Sequence, residues 1–593
     1  MPPGGQPRNG KHEKPKDVKK VLLRILRYMA RYAWAIAIVL AITFISNTVA
    51  LKGPSYAGLA IGEAEAGAGK VNFEKVIYYS RLMLIIYLVC GVTNLLISVV
   101  MMRISRRIGY WMRRDVFEKL LAMPVKYFDT HQAGDIISRV SYDIDVLTTS
   151  LATDLVQILT SIVTVVGSFI MMVKISLPLV SCMCVTIPLT ILITKNRAKL
   201  SRPLFAKRSA AYGRMNGFVE EMFSGQKTIL AYAHEDGVCE DFRKINQEAA
   251  DGYGNAQRLA MTAGPLTGFI NNLGLALIGI VGGVLYIRGI VDLKMISSFV
   301  LYSRKFSGPI NEIANIFNEI MSALAAAERV FRFLDEEEEP ADAPDALAPA
   351  EVVGRVSCQN VSFGYLPGVP ILKHFNLEAD AGKTIAIVGP TGAGKTTIIN
   401  LLMRFYDVDE GGIYVDGHEI RQMTRDSLRR SFAMVLQDTW LFRGTVFENI
   451  AYGKEGATME EVVAAAKAAH IHSTILQLPQ GYNTVITEDG GNISKGQKQL
   501  LTIARAMLYD AHMLILDEAT SNVDTETEQQ VQAAIKRLMK DKTSFVIAHR
   551  LSTIEKADKI LVINHGDVVE QGTHSELMKQ KGFYYQLYAA QFE

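Results

Sequence analysis

A chain of 593 residues exceeds what one hydrophobic core organises, so two or more domains are expected. Hydrophobic residues make up 49% and charged residues 21%, an apolar balance for a soluble protein, and the net charge of +3 argues against a nucleic-acid partner. The five cysteines (Cys90, Cys182, Cys184, Cys239 and Cys358) are scattered and odd in number, which speaks against a disulfide framework. Cys182 and Cys184 lie two apart in an apolar run, where small apolar filler is favoured over a metal or redox role.

Residues 1–20 carry Pro, Gly and Lys without an apolar core and cleavage site, so a secretory signal is not expected. Five uncharged runs follow: Ala33–Leu51, Leu82–Met102, Leu155–Val173, Ile175–Thr194 and Leu259–Ile287. Each has at least 19 residues, enough to cross a hydrocarbon core of about 30 Å as a helix. The runs are continuous rather than alternating, which selects helices over a barrel. A sixth candidate, Met295–Asn318, is interrupted by Arg304, Lys305 and Glu312. Arg304 and Lys305 either touch a transported molecule or, the favoured reading, face the helix bundle or a wet cavity.

Nine Lys or Arg precede Ala33, eight lie in 103–150 and eleven in 195–258. The positive-inside rule places these segments in the cytoplasm, with the N-terminal one the strongest witness. The outer connections are then Lys52–Arg81, the single residue Lys174, and Arg288–Lys294. The two long inner segments have apolar periodicity and read as membrane helices continuing into the cytoplasm, each pair joined by a short turn.

Residues 331–350 read FRFLDEEEEPADAPDALAPA, expected to be a solvated acidic spacer rather than a metal or peptide site. The expected domains are thus a cytoplasmic segment 1–32, a membrane domain 33–330, the acidic linker 331–350 and a second domain 351–593.

In the second domain the apolar strand Thr384–Val388 runs into Gly389-Pro-Thr-Gly-Ala-Gly394-Lys395-Thr396-Thr397 and a helix-like segment. This is a phosphate loop in its required setting. Backbone N–H groups of Gly389, Thr391, Gly392, Ala393, Gly394 and Thr397 wrap phosphates, Lys395 reaches the outer ones, and Thr396 can ligate Mg²⁺. The helix N-terminus adds a favourable field for anions. A second apolar strand ends in Asp517-Glu518; Asp517 is placed to hold Mg²⁺ and Glu518 to orient or deprotonate an attacking water.

Gln437 in MVLQD, Ile493-Ser494-Lys495-Gly496-Gln497, Asp524 ending ATSNVD, and His549 after SFVIA complete a series. In that order they resemble the ATP-binding cassette (ABC) domain. In the first half, YFDTHQAGDIISRVSYDID and FSGQKTILAYAHED resemble the inner-loop motifs of ABC exporters. The implied fold class is a polytopic α-helical membrane domain of six transmembrane helices with long cytoplasmic extensions, followed by an α/β P-loop ABC nucleotide-binding domain. Six spans return the chain to the side where ATP is.

The resemblance implies an ATPase coupled to export of hydrophobic or amphipathic molecules, drugs first among them, by alternating access. Lipid or peptide export stays open; a processing peptide exporter is disfavoured because only about 32 residues precede the first span. ATP and Mg²⁺ are the implied cofactors. By position, Tyr365 stacks on adenine, unless it is an ordinary strand aromatic. Gln437 binds Mg²⁺ or water, and His549 contacts the γ-phosphate. Ser494, Gly496 and Gln497 bind ATP held by a second cassette, with Asp524 in the adjoining loop. Glu488 matches the exporter cross-talk loop or is a surface acid. Phe44, Tyr87, Phe169, Phe269 and Phe299 either line a substrate cavity or pack helices.

One cassette and one six-span domain require a partner half-transporter. Lys495 stands where the usual signature has Gly, Ile493 where it has Leu, and Asn522-Val523 where Ala-Leu is common. A Lys side chain can obstruct close approach to phosphate. This mixture resembles the competent half of bacterial heterodimeric multidrug exporters, the partner being non-identical and one ATP site degenerate; the alternative is a homodimer that tolerates Lys495. The implied location is a bacterial-type inner or plasma membrane, with the cassette and both termini cytoplasmic.

Overall fold

The computed structural model describes residues 17–67, 70–349, 351–437, 439–487, 492–517, 525–547 and 554–592. It divides into two compact units: the chain to Ala122 with His131–Glu336, and Met123–Thr130 with Glu337 onward.

The first unit is helical. Its helices are α1 Val18–Ala30, α2 Ala33–Ala50, α3 Lys52–Gly62, α4 Phe73–Leu121, then, after the short α5 Val125–Thr130 of the second unit, α6 Ala133–Ser138, α7 Ile144–Ile175, α8 Leu177–Ser224, α9 Gln226–Ala231, α10 Glu235–Met261, α11 Ala263–Ile287 and α12 Leu293–Leu334. Starts are set by side-chain caps: Asp17 accepts from Lys20 N–H at 3.1 Å, Asn72 from Lys75 N–H at 3.2 Å and Asp292 from Met295 N–H at 2.8 Å. At 49 and 48 residues, α4 and α8 are each about 70 Å long, more than twice a bilayer core. Both therefore extend far beyond their apolar runs, as the inner-segment reading expects.

Five helical stretches among the described residues are long and apolar enough to cross a membrane. They contain four of the five uncharged runs whole; the fourth run, 175–194, is cut at Ser176, so that Leu177 to Thr194 lie in α8 and Ile175 ends α7. The sixth candidate lies within α12, whose charges keep it out of that group. Lys305 there donates to the Ala50 carbonyl at 2.8 Å, so its ammonium faces the bundle, while Arg304 is exposed.

Two connections differ from expectation. Lys52–Arg81 was expected as a loop, but Lys52–Gly62 is helix, a 3₁₀ turn spans Glu63–Ala66, and α4 begins at Phe73. The small residues that suggest a loop are instead a close-packing face: a Cβ at Gly58 would overlap Ser298 Oγ and the Lys294 carbonyl on α12. Lys174 is not the turn either. The helix runs through it to Ile175, and the chain breaks at Ser176 (φ −163°, ψ 114°). Pro178 in the first turn of α8, where N–H groups lack helical partners, favours the restart there.

The core of this unit includes Leu51, Met172, Leu179, Met183, Ile278, Phe299 and Tyr302. Phe299, a candidate cavity aromatic, is therefore a core residue, whereas Phe44, Tyr87 and Phe269 are exposed in the single chain. The buried Asp143 is held by Arg329 through two guanidinium hydrogen bonds, at 2.9 and 2.5 Å. Tyr28 donates to Asp115 at 2.6 Å and Arg24 to Asp335 at 2.7 Å, fastening α1 to α4 and to the end of α12.

The second unit carries two principal sheets, beside a short antiparallel pair of β7 Gly444–Thr445 with β8 Val485–Ile486. Strands β1 Val356–Phe363, β2 Leu372–Ala379, β4 Glu410–Val415 and β5 His418–Glu419 form an antiparallel sheet ordered β2-β1-β4-β5. The other is ordered β12-β11-β3-β10-β9-β6, with β3 Thr384–Val388, β6 Phe432–Val435, β9 Met513–Asp517, β10 Thr543–Ile547, β11 Lys559–Asn564 and β12 Asp567–Gly572. All its pairings are parallel except β11 with β12. Its central strands are buried on both faces, which is why TIAIV, MLILD and TSFVI read as continuous apolar runs.

The acidic segment is more than a solvated spacer. Phe331–Leu334 complete α12. Within the second unit, Glu339 pairs with Arg429, and Asp342 accepts from the Arg425 guanidinium at 2.7 Å and its backbone N–H at 2.9 Å. Leu347 exchanges backbone hydrogen bonds with Gln422 and Thr424, both 2.8 Å. The acids are held because Arg425 and Arg404, only 7% and 8% exposed, need counter-charges.

Candidate nucleotide site

Four parallel strands end at one edge of the six-stranded sheet. Ile387 of β3 is in register with Ile547 of β10, and Ile547 with Asp517 of β9; Val435 of β6 is in register with Leu516. That edge therefore collects the loop after β3, the Asp517 carboxylate and Gln437, two residues past β6. Ligands of open parallel sheets sit at such carboxyl ends.

The loop 389–394 leads into α13, Lys395–Leu402. Gly392 (φ 83°) and Gly394 (φ 105°) occupy the left-handed region, which a side chain disfavours. This turns the chain so that its N–H groups can converge at the helix N-terminus. Lys395 Nζ donates to the carbonyls of Gly389 at 2.7 Å and Pro390 at 3.0 Å. Burial lowers the Lys395 pKa, and the nearby Asp517 carboxylate opposes that shift. Thr396 is exposed beside the loop, whereas Thr397 is buried. Gln437 is exposed. A lysine, a hydroxyl, a carboxylate and an amide at one rim are a donor set suited to phosphates and a hard, oxygen-preferring cation.

Tyr365 lies just past β1. Its hydroxyl donates to Thr397 Oγ1 at 3.3 Å and accepts from Asn400 at 3.0 Å, so the ring stands against α13 with 36% of the residue exposed. Tyr406 meets it edge-on at 5.0 Å and donates to Asp129 of α5. Burial, then Asp129, raise the Tyr406 pKa, so it remains a hydroxyl donor at neutral pH. Asn400, Tyr406 and Asp129 escaped the sequence reading. Asp129 lies inside the recognised inner-loop motif, but only the fold pairs it with a tyrosine 277 residues away.

Ser494, Gly496 and Gln497 form a separate feature at the start of the helix Lys495–Tyr509. Ser494 accepts from Gln497 N–H at 3.3 Å, and the Gln497 side chain accepts from Ser494 N–H at 3.0 Å, a reciprocal cap. Gly496 is buried and Lys495 is exposed in the first turn. Among the described residues no hydrogen bond joins these three to the loop 389–397. Glu488, Glu518, Asp524 and His549 lie outside the described residues.

An apolar multi-helix unit joined to an α/β unit with this phosphate loop defines a membrane protein with a nucleotide-binding domain. Residues 34–310 match the family described as ABC transporter transmembrane region, and residues 372–521 the family described as ABC transporter. The chain is similar to an uncharacterised ABC transporter ATP-binding protein, YfiC, of Bacillus subtilis: 41% identity, over 98% of this chain and 96% of the relative. It is 46% identical to a fatty acid ABC transporter ATP-binding/permease protein of Mycobacterium bovis, over 80% of this chain and 75% of the relative. It is 34% identical to the ATP-dependent lipid A-core flippase of Escherichia coli K12, over 89% and 90%. Among solved structures, a bacterial Atm1-family ABC exporter with ATP bound superposes with a TM-score of 0.74 at 28% identity, covering 95% of this chain and 99% of that one.

The chain belongs to the ABC transporters, as an exporter half-transporter whose membrane region and cassette share one polypeptide. It is a multi-pass membrane ATPase coupled to export.

Proposed function

We propose that this chain hydrolyses ATP to export an acyl-bearing amphipathic molecule, acting with a second half-transporter in a bacterial inner or plasma membrane. The observation carrying the nucleotide half is the register that sets Lys395, Asp517 and Gln437 at one sheet edge. Lys395 is assigned to the outer phosphates, the loop N–H groups from Gly389 to Thr397 to the phosphate chain, and the open face of Tyr365 to adenine. Thr396, Asp517 and Gln437 would hold Mg²⁺, which when bound neutralises phosphate charge. Glu518, next after Asp517, is assigned to orient and deprotonate the attacking water, and His549 to contact the γ-phosphate.

Ser494, Gly496 and Gln497, with Asp524 nearby, are assigned to ATP held by the second chain's phosphate loop. The exposed Lys495 favours a non-identical partner, because it places a bulky cation where such a site needs a small residue. Six crossings, with α12 as the last, put the cassette and both termini in the cytoplasm. The names of the mycobacterial and Escherichia relatives support a lipid-like cargo over drugs. ATP binding would favour one of two membrane-domain states, giving alternating access.

The test is ATPase activity and cargo movement in proteoliposomes containing the chain and its partner. Glu518→Gln should abolish turnover while ATP still binds; substantial remaining hydrolysis would defeat the assignment.

A further inference from the structure

The outward stripe of α4 changes character abruptly. Leu88, Val92, Leu95, Leu96, Val99 and Met102 follow one another at helical spacing, and all are exposed. The same stripe continues as Arg103, Arg106, Arg107 and Tyr110, again all exposed. Among the described residues, none of the three arginines makes a hydrogen bond or an ion pair. Their neighbours do: Arg113 pairs with Asp145, and Arg114 with Glu118 at 2.6 Å.

Depth matches this change. The run Leu82–Met102 rises about 31 Å as a helix, the thickness of the hydrocarbon core. Arg103 to Arg107 then occupy the next 8 Å or so, the headgroup layer on the cytoplasmic side. Two concavities open there. One is lined by Arg103, Arg106, Arg107 and Tyr110, with a volume of about 500 Å³. The other, about 670 Å³, lies between α4 and α7, where Arg106 stands with Ser98, Thr149, Thr153 and the paired Arg113 and Asp145. Unpaired guanidiniums at this depth are the chemistry that receives a phosphate.

We propose that Arg103, Arg106 and Arg107 form a binding site for the headgroup of an anionic phospholipid of the cytoplasmic leaflet, its acyl chains lying along the exposed stripe from Leu88 to Met102. The stripe and the cluster are continuous, so a single amphiphile satisfies both. A basic pocket between membrane helices at this depth selects anionic over zwitterionic headgroups. The site stands on membrane insertion alone and does not depend on which molecule is exported.

The test is native mass spectrometry of the full-length complex released from mixed micelles containing equal phosphatidylglycerol and phosphatidylcholine. The wild type should retain phosphatidylglycerol in about tenfold excess, and a triple Arg103→Gln, Arg106→Gln, Arg107→Gln variant should lose most of that preference. The triple Lys variant should keep most of it. A control removing three charges elsewhere, Lys199→Gln, Arg202→Gln and Lys207→Gln, should leave it unchanged. If the triple Gln variant does not fold, Arg106→Gln alone carries the test, with a partial loss expected. Undiminished preference in the Gln variants would overturn the site, as would an equal loss in the control. Absence of preference in the wild type together with dissociation of the complex in the Gln variant would also overturn it, assigning the arginines to a protein interface.

Discussion

Lys305 donates its ammonium to the carbonyl of Ala50, at 2.8 Å. That carbonyl lies four residues before Pro54, which has no N–H to return to it. The next carbonyl, Leu51, accepts from the buried Tyr302 hydroxyl at 2.5 Å. A proline break in the first long apolar helix is thus satisfied by two polar groups of α12.

This relationship sets the first prediction. Lys305→Met leaves the Ala50 carbonyl without its donor and should cost about 1–3 kcal/mol. In a Pro54→Ala background the helical bond can re-form, and the same substitution should cost markedly less. Thermal unfolding of the four proteins in detergent measures this. Equal costs in both backgrounds would separate Lys305 from the proline break.

The acidic strap gives a second. Asp342→Asn removes a counter-charge from Arg425 and Arg404, both nearly buried, and should destabilise the cassette by about 3–5 kcal/mol. Pairing it with Arg425→Met should recover part of that loss. Thermal unfolding of the full chain, with scans of the single and double variants, reads the coupling; purely additive losses would show that the strap is not held by this pair.

Tyr406 and Asp129 provide a third. A hydrogen bond to a charged partner contributes about 1.5–3 kcal/mol. Tyr406→Phe and Asp129→Asn should each lower the unfolding temperature, and the double variant should be no worse than the more damaging single one. Because Tyr406 also flanks Tyr365, Tyr406→Phe should keep the KM for ATP within about threefold, since it retains the ring that the edge-on contact uses.

A fourth concerns Lys495. If the signature completes a degenerate site, Lys495→Gly should raise ATP turnover of the assembled transporter by no more than about twofold and leave its dependence on Glu518 intact. A rise of tenfold or more would mean that Lys495 itself limits the catalytic site.

The candidate nucleotide site could be read as a proposal from the sequence because its chemistry is local. Gly389 to Thr397 are consecutive, and strands buried on both faces announce themselves as apolar runs ending in Asp517. The membrane helices were legible for the same reason, since 19 uncharged residues leave one solution in lipid. What escaped depends on pairings across long stretches of chain. Gly58 and Gly62 look like loop residues until α12 packs against them, and Gly53 until Tyr87 of α4 does. Glu339 looks solvated until Arg429, 90 residues later, folds onto it. Lys305 was expected to face the bundle, but its particular partner, the Ala50 carbonyl that Pro54 leaves open, shows only in the fold.

The central claim is ATP-driven export of an acyl-bearing amphiphile. It is tested most directly by reconstituting the chain with its partner into vesicles, cassettes outward, and following a fluorescent long-chain fatty acid or lipid into the lumen. The account predicts accumulation that requires ATP and Mg²⁺ and disappears in Lys395→Ala and Glu518→Gln. Vigorous ATP hydrolysis without movement of any acyl-bearing probe, alongside ATP-dependent movement of a non-lipid drug, would contradict it.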